Sequence, residues 1–155
     1  MAYNFFPMIS RMRYINRWGL MRNTRLENIQ EHSHQVAVLA HALAVIENRY
    51  FGGQIDPGAV AVAERRLLSM LPPDLRPDFE EAVTIPDPEV HAIVKAADKL
   101  SAYLKCVEEL KAGNTEFKKA KEQTYAALCQ NPSPTLKYFM DNFLAGFELT
   151  LDELN

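Results

Sequence analysis

The run Asn-Ile-Gln-Glu-His-Ser-His-Gln-Val-Ala-Val-Leu-Ala-His-Ala-Leu-Ala-Val-Ile, residues 28–46, decides the fold. Val36, Leu39, Leu43 and Ile46 recur at the three-four spacing of one helical face, and four residues back the same stripe reaches His32. Asn28 is a natural N-cap, and Glu31 three residues on completes a capping box. The spacing predicts a helix from Asn28 to about Phe51, stopped by Gly52-Gly53.

The helical period extends outward in both directions, and no stretch alternates as a strand. A short first helix starts near Pro7, followed by an arginine-rich connection from Asn16 to Glu27. Asp56-Pro57 opens a third helix that continues from Ala59 to Met70. Pro72, Pro73, Pro77, Pro86 and Pro88 then limit the chain to turns and one short helix around Asp78 to Val83. A fourth long helix covers Pro88 to Ala112 and ends at Gly113, and a fifth covers Glu116 to Cys129. The last, capped by Ser133 with Pro134 in its first turn, buries Leu136, Phe139, Met140, Phe143 and Phe147 on one side. The reading is an all-α bundle of five to six helices around one core, a single domain over residues 1–155.

At 155 residues the chain is the size of one domain, and its net charge of −3 gives no general attraction for a nucleic acid polymer. No apolar run is long enough for a membrane span, and the N-terminus has no secretory pattern. Cys106 and Cys129, the two cysteines, read as reduced thiols of a cytoplasmic protein.

Three constellations carry possible chemistry. His32 faces the interior, where it is either a metal ligand or a core histidine hydrogen-bonded to a neighbour. Asp98, in Ala96-Ala97-Asp98 on the fourth helix, sits beside Val94 and Ser101 at the margin of an apolar face. It would pair with a cation there, or else stand exposed against Lys95 or Lys99. Arg11, Arg13, Arg17, Arg22 and Arg25, interleaved with Tyr14 and Trp18, form a local basic run. It suits phosphate through paired guanidinium donors, or surface pairing with acidic groups. A glycine-rich phosphate loop, a Cys-x-x-Cys pair and a Gly-x-Ser-x-Gly elbow are all missing, which argues against a P-loop enzyme, a zinc ribbon and a serine hydrolase.

Two stretches resemble one family. Ile15-Asn16-Arg17-Trp18-Gly19-Leu20-Met21-Arg22-Asn23, followed by Glu27-Asn28 and Glu31-His32-Ser33, is similar to the N-terminal signature of the bacterial HD-domain 5'-deoxynucleotidases (YfbR-like). Lys95-Ala96-Ala97-Asp98-Lys99-Leu100-Ser101-Ala102-Tyr103-Leu104-Lys105-Cys106 is similar to their C-terminal signature. The resemblance implies a compact all-α HD-type bundle, usually dimeric. The implied activity is release of phosphate from deoxyribonucleoside 5'-monophosphates with a divalent metal ion such as Co, Mn, Mg or Zn. It assigns His32 and Asp98 to the metal, Arg17 to the substrate phosphate and Trp18 to the sugar.

The same resemblance exposes a departure. The family's metal site includes a consecutive His-Asp pair on its third helix, and no such dipeptide occurs in this chain. The stretch Gly58 to Val62 resembles the start of that helix, whereas Ala63 to Leu68 resembles the end of a later one. A block of several tens of residues is therefore missing at Val62 or Ala63, and no further catalytic residue can be identified. Either the protein carries an internal deletion, or the sequence lacks a segment that the natural protein has. The coexistence of Arg17, His32 and Asp98 favours the second. If the deletion is real, a non-catalytic helical module that binds a nucleotide or dimerises is the alternative function.

Overall fold

The computed structural model describes residues 5–57, 73–75, 77 and 87–154. Among them are five α-helices: α1 (Phe5–Arg11), α2 (Ile29–Tyr50), α3 (Pro88–Lys111), α4 (Lys118–Cys129) and α5 (Pro134–Phe143). Short 3-10 turns precede or follow them, and no strand occurs among the described residues. The architecture is all-α, as the periodicity requires. The third helix expected from Ala59 to Met70 and the short one around Asp78 to Val83 lie outside the described residues.

The helix boundaries follow from side chains already visible in the sequence. Asn28 caps α2, and the capping box is complete: Asn28 accepts from the Glu31 amide while the Glu31 side chain accepts from the Asn28 amide. Asp87 caps α3 with Pro88 in its first turn, and Ser133 caps α5 by accepting from the Leu136 amide. Gly52 and Gly113 follow the ends of α2 and α3 at φ of 77° and 85°.

The core forms where α2 lies along α3. From α2 come Val36, Leu39, Leu43 and Ile46, all buried as the stripe predicts, and His32 is buried with them. From α3 come Val90, Ile93, Ala97, Leu100, Leu104 and Val107, the same alternation of threes and fours. The C-terminal half of α3 is the central element: Tyr103, Lys105, Cys106 and Glu109 are buried as well. Its other faces meet α4 and the chain before α2. One expectation for the last helix fails. Leu136 and Phe139 are buried, but α5 ends at Phe143, which is 48 % exposed and packs at a tilt on Phe139 and Tyr138. Phe147 lies in the following 3-10 turn, and Thr135 takes the remaining buried position.

Candidate functional site

The connection before α2 is folded rather than merely basic. Arg17 and Glu27 share a backbone hydrogen bond of 2.8 Å, and Ile29 donates to the Ile15 carbonyl at 2.9 Å, closing an antiparallel bridge between Asn16 and Asn28. The loop between is anchored to α3 by one carboxylate. Glu109 accepts from the Thr24 amide at 2.8 Å, the Arg25 amide at 3.2 Å and the Asn114 side chain at 2.8 Å. Lys105 completes the anchor, donating to both Glu109 and the Arg25 carbonyl. Burial raises the Glu109 pKa, but the bonds from Lys105, Thr24, Asn114 and Arg25 outweigh it and hold the carboxyl far below its ordinary range.

Within this loop Trp18 adopts φ of 56°, a left-handed conformation rarely taken by so large a residue. Its carbonyl accepts from the Met21 amide and the Asn23 side chain, and its ring lies 5.5 Å from that of Phe117, which is fully buried. Strain of this kind is retained only where surroundings enforce it, and it clusters at binding sites.

His32, on α2, and Asp98, on α3, meet although 66 residues separate them: His32 Nε2 lies 2.7 Å from Asp98 Oδ1. On the other edge of the ring, Nδ1 lies 3.0 Å from Ser101 Oγ and 3.8 Å from Glu27 Oε1. Glu27 in turn stands 3.1 Å from Arg17 Nε. That contact has the length of an ion pair, yet its N–H is poorly aimed, so both buried atoms lack a well-directed hydrogen bond. The Trp18 indole N–H is likewise buried without a partner among the described residues. Unsatisfied buried polar atoms are uncommon in folded proteins, and two of these belong to adjacent residues beside a His-Asp pair.

The charges are interdependent. Burial disfavours the charged His32 ring, but its bond to Asp98 and the nearby Glu27 carboxylate outweigh this and raise its pKa. Asp98 is lowered chiefly by His32, against a smaller effect of burial. For Glu27 burial acts upward, and His32 and Arg17 together pull the carboxyl down.

An imidazole nitrogen and a carboxylate oxygen converging from two rigid helices form a donor set suited to a divalent cation. His32 and Asp98 thus fit two of its ligands. Among the described residues no group of three or more His, Cys, Asp or Glu side chains is arranged to hold a metal, whereas catalytic sites ordinarily use three protein ligands.

Of the expected residues, the structure brings together His32, Asp98 and, through Glu27, Arg17. Asp98 is partnered by His32, so its pairing with Lys95 or Lys99 is not what the structure shows. The basic run is not one patch. Arg22 faces Glu116, Arg25 faces Glu31 and Arg11 lies over Tyr14. Glu27, Gln35 and Ser101 are site residues that composition and periodicity did not single out. The signal available was position: Glu27 immediately precedes the α2 cap, and Ser101 stands one turn beyond Asp98.

These features define an all-α domain in which a histidine and an aspartate from two helices meet beside an arginine. An HD-domain phosphohydrolase from Listeria innocua shares the fold, with a TM-score of 0.73 at 16 % identity over 93 % of this chain and 88 % of that one. The family model described as 5'-deoxynucleotidase YfbR-like matches residues 4–63 and 61–147. The 5'-deoxynucleotidase of Shewanella oneidensis is 42 % identical over 98 % of this chain and 97 % of its own, and that of Vibrio cholerae is 42 % identical over 98 % of each. The chain belongs to the YfbR-like 5'-deoxynucleotidase family.

Proposed function

We propose that the protein is a metal-dependent phosphohydrolase that releases phosphate from deoxyribonucleoside 5'-monophosphates. The observation that carries this reading is the meeting of His32 and Asp98 beside an arginine and a tryptophan with unsatisfied buried donors. In this reading His32 and Asp98 hold a divalent cation, whether Co, Mn, Mg or Zn. The chemistry such an ion would supply there is Lewis-acid polarisation of a phosphoryl oxygen and activation of a water. Glu27 engages the Nε edge of Arg17, which leaves the terminal nitrogens as the planar fork that phosphate accepts. Trp18, next to Arg17, stands at the sugar. By the same family resemblance we expect a homodimer working in the cytoplasm, to be checked by light scattering.

A second reading has its own support. The family model matches in two pieces that join at residues 61–63, and the match to the Shewanella relative runs over 190 positions. A chain of 155 residues leaves at least 35 of those positions empty. We infer that a segment is lost at this join, and with it the His-Asp pair. A chain so shortened would bind a nucleotide without hydrolysing it.

Phosphate release from a panel of deoxyribonucleoside 5'-monophosphates with Co²⁺, Mn²⁺ or Mg²⁺, on protein of recorded intact mass, separates the two. Release that needs metal and disappears in His32→Ala or Asp98→Ala supports the enzyme. No release with any metal, from a chain of 17.6 kDa, overturns it and leaves the binding module.

A further inference from the structure

The Ser101 hydroxyl is completely buried between α2 and α3. It stands 2.6 Å from Gln35 Oε1 and 3.0 Å from His32 Nδ1. A hydroxyl has one hydrogen to donate, and a carboxamide oxygen can only accept. The Ser101 hydrogen is therefore committed to Gln35, and only a lone pair is left for His32. His32 Nδ1 must then carry a hydrogen and donate it. The Glu27 carboxylate, 3.8 Å from the same nitrogen, favours the same arrangement, since a bare lone pair there would face negative charge.

We propose that Gln35 and Ser101 hold one hydrogen on His32 Nδ1, so that the hydrogen Nε2 shares with Asp98 is the one a divalent ion would displace. At 2.7 Å Nε2 and Asp98 Oδ1 share a hydrogen, in the place where a divalent ion would otherwise join the two. The relay thus prepares Nε2 to ligate a divalent ion. That role for Nε2 rests on the metal reading above, but the hydrogen on Nδ1 does not. Gln35 and Ser101 act only through His32, so they are positioning residues. Groups that orient a ligating histidine from its far nitrogen commonly govern metal affinity.

The full-length chain tests both halves. Ring-nitrogen NMR on Asp98→Ala, which removes the competing acceptor, is recorded at about pH 9, above the ordinary imidazole range. His32 is expected to carry its hydrogen on Nδ1, and adding Ser101→Ala is expected to move it toward Nε2. A ring that carries it on Nε2 while Ser101 is present means that Gln35 donates through its NH₂ group instead, and the proposal falls. Co²⁺ titration followed by visible absorption reads the second half. Ser101→Ala and Gln35→Leu should weaken binding by about 10–100-fold, whereas Gln35→Glu, which keeps the accepting oxygen, should bind within a few-fold of the parent. Equal loss in Gln35→Leu and Gln35→Glu would reveal a merely structural role. A parent chain that takes up no Co²⁺ refutes the metal reading, and the NMR measurement still decides the relay.

Discussion

Replacing Glu109 with alanine is the sharpest test of how the loop before α2 is held. The carboxylate is 2 % exposed, its partner Lys105 5 %, and it accepts from Thr24, Arg25, Asn114 and Lys105 at once. Glu109→Ala leaves a buried ammonium without its counter-charge, and removing one partner of such a pair costs about 3–5 kcal/mol. Two backbone amides also lose their acceptor, so the upper part of that range is expected. In a chain of this size, about 4 kcal/mol lowers Tm by roughly 8–16 °C. Thermal and urea unfolding of Glu109→Ala, Lys105→Met and the double variant Lys105→Met/Glu109→Leu would measure it. The double variant should lose less than the sum of the single losses, because nothing charged stays buried alone. A loss below about 1 kcal/mol for Glu109→Ala, or losses that simply add, would refute the idea of an anchoring ion pair. The sign with pH follows from the lowered pKa of Glu109. A carboxyl held down in the folded state contributes its stability above its ordinary pKa of 4.5 and loses it as pH falls. Wild-type stability should therefore decline on acidification below about pH 5 more steeply than that of Glu109→Gln.

Two other changes probe the frame of the site. Asn28→Ala removes the capping box of α2 one turn before His32, so a loss of about 1 kcal/mol is expected in urea unfolding. Phe117→Ala empties a fully buried position and withdraws the ring that Trp18 leans on. It should cost about 3–5 kcal/mol by the same measurement and red-shift or broaden the Trp18 fluorescence, Trp18 being the single tryptophan.

The legible parts of the protein are those encoded locally. The stripe of α2, its Asn28 cap, the Ser133 cap and the Gly113 stop are all short-range patterns, and each appears where the sequence places it. His32 is legible as an inward-facing residue for the same reason. Lys105 and Glu109 show why the rest was not. Four residues apart on a helix, they read as an ordinary surface pair, and only the packing of α3 against the preceding loop makes them internal. Ser101 and Gln35 likewise gain meaning from the contact between two helices, which no local spacing reveals. For Phe143 local pattern misled, because the helix it was assigned to ends there. Arg17 and Asp98 needed the family signature, since neither the basic run nor a half-exposed aspartate distinguishes them.

The Asn48 side chain grips Ile55 from both sides, donating to its carbonyl at 2.6 Å and accepting from its amide at 2.8 Å. This bracket fastens the outgoing chain to the end of α2 before residue 58, while Asp87 and Pro88 start α3 afresh on the far side. The alignment of His32 with Asp98 is therefore referred to two independently seated helices and not to the length of chain that connects them. The join at residues 61–63 falls between these two anchors.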